Sequence, residues 1–264
     1  MKKIVFLEMN ADGPTQYHSD LFNNDKCDFF YVTFKKNVEN DSRFLGFFPQ
    51  TVWGETRNKL YELVPKNYEY YCFIDDDIIF ESKTDIEFID QLLDDLEKTK
   101  PVVLSPYYIN NNNEGMEFNQ GHFYLNYFGN NCCKIYDSEY LNFFYELIIK
   151  YGGTYDSAHL VNILELIFEN KILCSHNLTM NNPDHKANYS NGKQNMKNMW
   201  NDIKHLTSDD ELISTDNCMI IKDIFLKKND IVLDLESNKI NFERVFKLDS
   251  KSWIYQRYKK FVLK

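Results

Sequence analysis

The chain has 264 residues, enough for one large domain or one domain with a small annex. Apolar residues make up 43% of it and aromatic residues 16%, so it can bury a sizeable core, which excludes a globally disordered chain. A net charge of -10 and a pI near 5.1 exclude a protein whose main task is gripping nucleic-acid phosphates, but not one with a nucleotide ligand, because a metal ion can supply local positive charge.

Residues Met1–Glu8 hold too short an apolar run for a signal peptide, and no stretch approaches the length of a membrane span. Ile4–Leu7 predicts a first strand, ending at the polar loop Asn10–Thr15, and Asp28–Phe34 predicts a second. Val52, Leu60 and Leu63 share the inner face of a helix that Thr51 can cap and Pro65 ends. Tyr70–Phe80 predicts one long strand. Ile86, Ile89, Leu92, Leu93 and Leu96 have helical period, and 101–106 predicts a further strand. Strands alternating with helices at this spacing imply an α/β sandwich, with a mostly parallel central sheet flanked by helices.

Beyond the loop Asn110–Gly115 the pattern predicts short strands at 123–125 and 132–136, then helices over 138–151 and 156–169 on either side of Gly152-Gly153. A polar loop over 181–193, charged helices over 194–228 and a basic, aromatic tail over 253–261 follow. There is no internal repeat, and no linker long enough to divide the chain, so 1–264 is expected to form a single domain. Cysteines 27, 72, 132, 133, 174 and 218 are scattered, one of them inside a predicted strand, with no CxxC. A disulfide framework is therefore not expected, and the expected setting is a reducing cytoplasm.

The strongest chemical signal is Asp75-Asp76-Asp77, set between Tyr70–Ile74 and Ile78–Phe80. Adjacent like charges repel, and each costs several kcal/mol to desolvate unpaired. A divalent cation removes that conflict. On a continuous strand Asp75 and Asp77 would share one face while Asp76 points away. Two carboxylates on one face make a hard oxygen site of the kind Mg²⁺ or Mn²⁺ uses beside a diphosphate. The competing reading is a solvated turn after a strand.

Upstream, Trp53-Gly54-Glu55-Thr56-Arg57-Asn58-Lys59-Leu60 places Arg-Asn on a helix. Such a helix, a short loop and a hydrophobic strand ending in Asp-x-Asp together resemble the nucleotide-binding half of a nucleotide-sugar-dependent glycosyltransferase of the GT-A fold. The resemblance spans about residues 1–110 and is closest from Trp53 to Phe80. It implies a GT-A-like, Rossmann-like sandwich, with 1–110 the nucleotide-sugar-binding half and 111–264 the acceptor-side half with C-terminal helices.

The resemblance further implies that Asp77 ligates Mn²⁺ or Mg²⁺, and that Asp75 binds the metal or the donor ribose. Asp76 would serve the loop or the ribose, and Arg57 would approach the diphosphate or base. Asn10 and Asp12, after the first strand, would meet the base. For Arg57 the alternative is a surface ion pair on an exposed helix face. In Asn181-Asn182-Pro183-Asp184-His185, His185 is the implied histidine of the metal shell, with His176 its rival. An inverting transferase also needs a base for the acceptor hydroxyl. Asp156 fits that place, and fits equally as an N-cap, because Ser157 and Ala158 follow where an acidic pair is expected. Asp137 and Glu139 are lesser candidates.

The implied partners are a nucleotide-diphosphate sugar donor and a glycan or lipid-linked acceptor. Gln120-Gly121-His122 could line the acceptor side, and the basic, aromatic tail could touch an anionic membrane. Two other readings stand beside this one. A sugar nucleotidyltransferase would carry a Gly-rich phosphate loop with a basic residue after the first strand, where Asn10–Pro14 has one glycine and no Lys or Arg. A non-catalytic glycan- or partner-binding module that keeps the fold would have little reason to retain three clustered acids.

Overall fold

The computed structural model describes residues 2–51, 54–109, 132–138, 141 and 173–182, and the backbone alone at 53, 116–117, 123–125 and 172. The predicted helices over 138–151, 156–169 and 194–228, and the C-terminal tail, lie outside the described residues except at Ser138 and Leu141.

In chain order the elements are β1 (Ile4–Asn10), α1 (Gln16–Leu21), β2 (Cys27–Thr33), β3 (Phe44–Phe47), α2 (Trp53–Leu63), β4 (Tyr70–Asp75), β5 (Ile79–Ser82), α3 (Phe88–Thr99), β6 (Val103–Tyr108), β7 (Met116–Glu117), β8 (Phe123–Leu125), β9 (Cys133–Asp137) and β10 (Ile172–Asn181). They form one ten-stranded sheet in the order β3-β2-β1-β4-β9-β6-β10-β8-β7, with β5 paired to β10. Strands β3, β2, β1, β4, β6, β10 and β7 run one way, and β9, β8 and β5 run the other. The expected α/β sandwich is present, built on a mixed sheet. A Rossmann-like parallel half, β3-β2-β1-β4, is joined through the antiparallel β9 to a mixed half built on β6 and β10.

The central strands are nearly continuous apolar runs because both of their faces are covered. In β1 the side chains Ile4, Val5, Phe6 and Leu7 are all buried, and in β4 Tyr71, Cys72, Phe73 and Ile74 are. Phe22, at the end of α1, stacks on Phe6 with ring centroids 4.2 Å apart. On the opposite face α2 lays the guanidinium of Arg57 5.9 Å from the centre of the Phe73 ring. Helix α3 lies on the α1 side, where Phe88 and Phe80 sit 4.8 Å apart. Its last turn closes on Lys100 in the left-handed region, with φ 45°. Among the described residues no helix is long and apolar enough to cross a membrane.

Three sequence expectations change. The run Tyr70–Phe80 is two strands rather than one: β4 stops at Asp75, Asp76 and Asp77 turn the chain, and β5 leaves to pair with β10. Three adjacent carboxylates cannot all be shed from a ladder buried on both faces, and the turn releases them. Leu63 does not share the inner face with Leu60, being 46% exposed where Leu60 is fully buried. Ile86, 47% exposed, lies before α3 rather than within it.

Because Leu60 fills the space between α2 and the sheet while Leu63 faces water, Leu60→Ala should lower unfolding free energy by about 2–5 kcal/mol. Leu63→Ala should change it by no more than about 0.5 kcal/mol. Urea denaturation of both variants checks the assignment of the helical face.

Candidate functional site

In an open α/β sheet, ligands bind beyond the carboxyl ends of parallel strands, where successive strands leave to opposite sides. That point here lies between β1 and β4. From β1 the chain goes outward to β2 and β3, then returns to place β4 on the other side of β1. The loop Asn10–Pro14 caps β1 and the turn Asp76–Ile78 caps β4, so the sequence signals on the two segments converge on one crevice.

The acidic turn is held from several directions. The Asp75 amide donates to the Cys132 carbonyl at 2.9 Å, which fixes the end of β4 to the start of β9. Its carboxylate accepts a hydrogen bond from Arg57 Nη2 at 2.8 Å. Arg57 is only 5% exposed, so of its two readings the surface ion pair fails: the pair exists, but it is buried within the site. A buried pair of this kind holds the carboxylate in place more than it adds stability.

The Cys132 thiol also touches the Asp75 carboxylate. Burial pushes that thiol's pKa up, and the charge and hydrogen bond of Asp75 push it further, so the sulfur keeps its proton and donates it to Asp75. Asn182 Nδ2 in turn donates to the Cys132 sulfur at 3.2 Å.

Asp76 accepts the Ala11 backbone N–H, which ties the turn to the loop after β1. Its pKa is raised to about 6, first by burial and then by the negative charges of Asp77, Glu8 and Asp75. The shared face expected for Asp75 and Asp77 on a continuous strand is replaced by adjacency in this turn. Among the described residues no group of three or more His, Cys, Asp or Glu side chains is arranged to hold a metal ion. The donors in the turn are hard carboxylate oxygens, and the charges of Asp77, Glu8 and Asp75 bear on Asp76. Both features fit Mg²⁺ or Mn²⁺.

The loop after β1 is braced from within. Asn10, 1% exposed, has both ends of its amide engaged: Nδ2 donates to Glu8 Oε1 at 2.7 Å, and Oδ1 accepts the Gly13 N–H at 2.6 Å. Its place is inside the loop. Gly13 itself sits at φ 130°, a conformation that favours glycine. Asp12 is exposed on the rim of an open cleft of about 480 Å³, which Tyr31, Lys36, Asp41 and Arg43 also line. The Tyr31 hydroxyl donates to Asp41 at 3.0 Å, and hydrogen bonds from Arg43 hold the Asp41 carboxyl at about 2, so the rim stays charged.

Sequence reasoning missed Glu8, Tyr17, His18 and Cys132. Glu8 is fully buried, and its other oxygen accepts His18 Nδ1–H at 2.5 Å. The far ring nitrogen, Nε2, donates to the Ile78 carbonyl at 2.7 Å. Burial works against the charged imidazole, but the Glu8 hydrogen bond and charge, with the Ile78 carbonyl, outweigh it and raise the pKa of His18. Glu8 carried the same signal as the triplet, a carboxylate inside an apolar strand.

The remaining candidates separate. Asp137 pairs with Tyr70, at the opposite end of β4 from Asp75, because β9 runs antiparallel; it cannot serve this site as a base. His176 packs tilted against the Tyr107 ring, centroids 3.9 Å apart, where β10 bulges between Ser175 and Thr179. Residues Gln120–His122, Glu139, Asp156 and His185 lie outside the described residues.

No protein-family model and no curated protein matches the sequence. Among solved structures the chain is similar to the crystal structure of residues 1–349 of TarS, a glycosyltransferase, from S. aureus. The two are 13% identical with a TM-score of 0.48, over 87% of this chain and 74% of that one.

The Asp76 carboxyl binds its proton more tightly folded, at about 6, than unfolded, at 3.8. Its contribution to stability is therefore present below about pH 4 and lost as the pH rises through about 6. With chelator present, Asp76→Asn should be more stable than the parent at pH 8, by about 1–3 kcal/mol. That gain should vanish by pH 4. Thermal melts across this range decide it.

Proposed function

We propose that the protein is a metal-dependent glycosyltransferase, moving a sugar from a nucleotide-diphosphate donor to a hydroxyl of a glycan or lipid-linked acceptor. The observation that carries this reading is the turn Asp75–Asp77 at the strand-order switch point. It is buried enough to raise the pKa of Asp76, anchored by Arg57, and reached by the same loop that lines the cleft.

Asp75 and Asp77 would hold the cation, with His185 completing its shell; the chain leading to His185 departs from Asn182, whose amide already reaches Cys132 beside Asp75. A bound divalent cation neutralises charge on the departing nucleoside diphosphate. The other roles fall to side chains. Arg57 fixes the orientation of Asp75 and adds positive potential beside the diphosphate. The cleft, with Asp12 and the Asp41–Arg43 pair on its rim, takes the nucleoside. In transfer, the acceptor oxygen bonds to the anomeric carbon as the bond from that carbon to the diphosphate breaks. The diphosphate leaves with the electron pair, and the acceptor proton passes to a base, for which Asp156 is the candidate.

The loop after β1 separates this from sugar activation by nucleotidyl transfer. Its Gly13 amide is taken by Asn10 and its Ala11 amide by Asp76, and Asn10–Pro14 presents no Lys or Arg to a triphosphate.

Nucleoside diphosphates with Mn²⁺ should raise the melting temperature, and one base should do so best. At a hundredfold excess over Kd the gain corresponds to about 2.7 kcal/mol. Asp77→Asn should abolish the metal-dependent part. A panel showing no shift with any nucleoside diphosphate and metal, or a shift that survives Asp77→Asn, overturns the donor-site reading. Donor hydrolysis across common nucleotide sugars with Mn²⁺ then identifies base and sugar together.

A further inference from the structure

We propose that α1 clamps the acidic turn, with Tyr17 and His18 as positioning residues that set where Asp77 stands for a divalent cation; this rests on the donor-site reading above. Two consecutive side chains of a six-residue helix engage main-chain groups flanking Asp77. His18 Nε2 donates to the carbonyl of Ile78, the next residue. The Tyr17 hydroxyl donates to the Phe80 carbonyl at 2.6 Å and accepts the Phe80 N–H at 2.7 Å. One hydroxyl thus fills both polar groups of Phe80, as a neighbouring strand would.

On the other side of Asp77, Asp76 is held by Ala11 and Asp75 by Arg57 and the Cys132 carbonyl. The backbone on either side of Asp77 is therefore held, and α1 supplies the hydrogen bond at the Ile78 carbonyl and the Tyr17 pair at Phe80, beside the buried Ile78 side chain and the pairing of β5 with β10. The helix is itself firmly seated. Thr15 accepts the His18 N–H at 3.1 Å, and Phe22, just past its end, stacks on Phe6 and Phe29.

The bonds of Tyr17 do not look like a contribution to the core. Its ring is 38% exposed, so its burial stabilises little, yet its hydroxyl is spent wholly on one residue of the turn. His18 is different in kind: it is 1% exposed and hydrogen-bonded to the buried Glu8, so its loss would disturb folding as well as the turn. Tyr17 is therefore the cleaner probe. Groups that orient metal ligands without touching the metal typically change its affinity tenfold to a hundredfold, and the clamp belongs to that range.

The test uses the full chain and three variants: Tyr17→Phe, which keeps the ring; His18→Gln, which keeps a donor; and Leu96→Ala, a core truncation in α3 beside Lys3, Tyr70 and Asp137, at the opposite end of β4 from the turn. Hydrogen exchange at the Phe80 amide, read without metal, should be faster in Tyr17→Phe while global stability stays near the parent's. Titration with Mn²⁺ alone should then show Kd weakened about tenfold or more in Tyr17→Phe and His18→Gln. Leu96→Ala should lower the melting temperature and leave Kd unchanged. Unchanged exchange at Phe80 overturns the clamp. Faster exchange with an unchanged Mn²⁺ Kd overturns its positioning role, as does a Kd in Leu96→Ala that weakens in step with stability. A parent protein that binds no Mn²⁺ overturns the donor site itself while leaving the exchange result to stand.

Discussion

Mutual repulsion among the carboxylates at the ends of β1 and β4 is the constraint around which this half of the molecule is arranged. Glu8, Asp75 and Asp77 all act on Asp76, and their charges, added to its burial, raise its pKa to about 6. Two buried partners answer it directly. Arg57 meets Asp75 from α2 on one face of the sheet, and His18 meets Glu8 from α1 on the other. Backbone amides and a neutral thiol supply the rest. Positions that would ordinarily take apolar side chains on both faces are thereby occupied by paired polar groups, with the sheet between them.

Strand order gives this cluster its geometry. The parallel set β3-β2-β1-β4 delivers two strand ends side by side, and the antiparallel β9 brings Cys132 to the same edge while carrying Asp137 to the far one. Strand β10 then runs long enough to pair with β6, β8 and β5, and is followed by Asn182 against Cys132. The polar segment that begins at Asn181 thus leaves the described structure from the rim of the acidic turn.

Much of this was legible in the sequence. Apolar runs and their spacing placed β1, β2, β4, α2, α3 and β6, and the triplet marked the end of β4 beside the loop after β1, because each signal is carried by residues close together in the chain. What escaped was long-range. A turn inside Tyr70–Phe80 has no Gly or Pro to announce it; it exists because β5 finds a partner in β10, a hundred or so residues later. Helix α1 is too short to show a helical period, and nothing local marks His18 as the partner of Glu8 and Ile78. Arg57 could be seen, but whether it faced water or Asp75 depended on how α2 crossed the sheet. Asn10 was visible as a polar loop residue, while its inward turn depended on Glu8.

The bond from His18 to Ile78 joins residues 60 apart in sequence, and the one from Asn182 to Cys132 joins residues 50 apart. Contacts that close such long loops are entropically late, because the intervening chain must be ordered before they repay its cost. A growing chain that has just released β1, α1 and β4 already holds every member of the acidic cluster, yet it lacks β9 and β10, which complete the turn's surroundings. Within that first segment Glu8 can already meet His18, and Asp75 can meet Arg57, whereas the Asp75 amide and the Cys132 carbonyl can join only once β9 has been made.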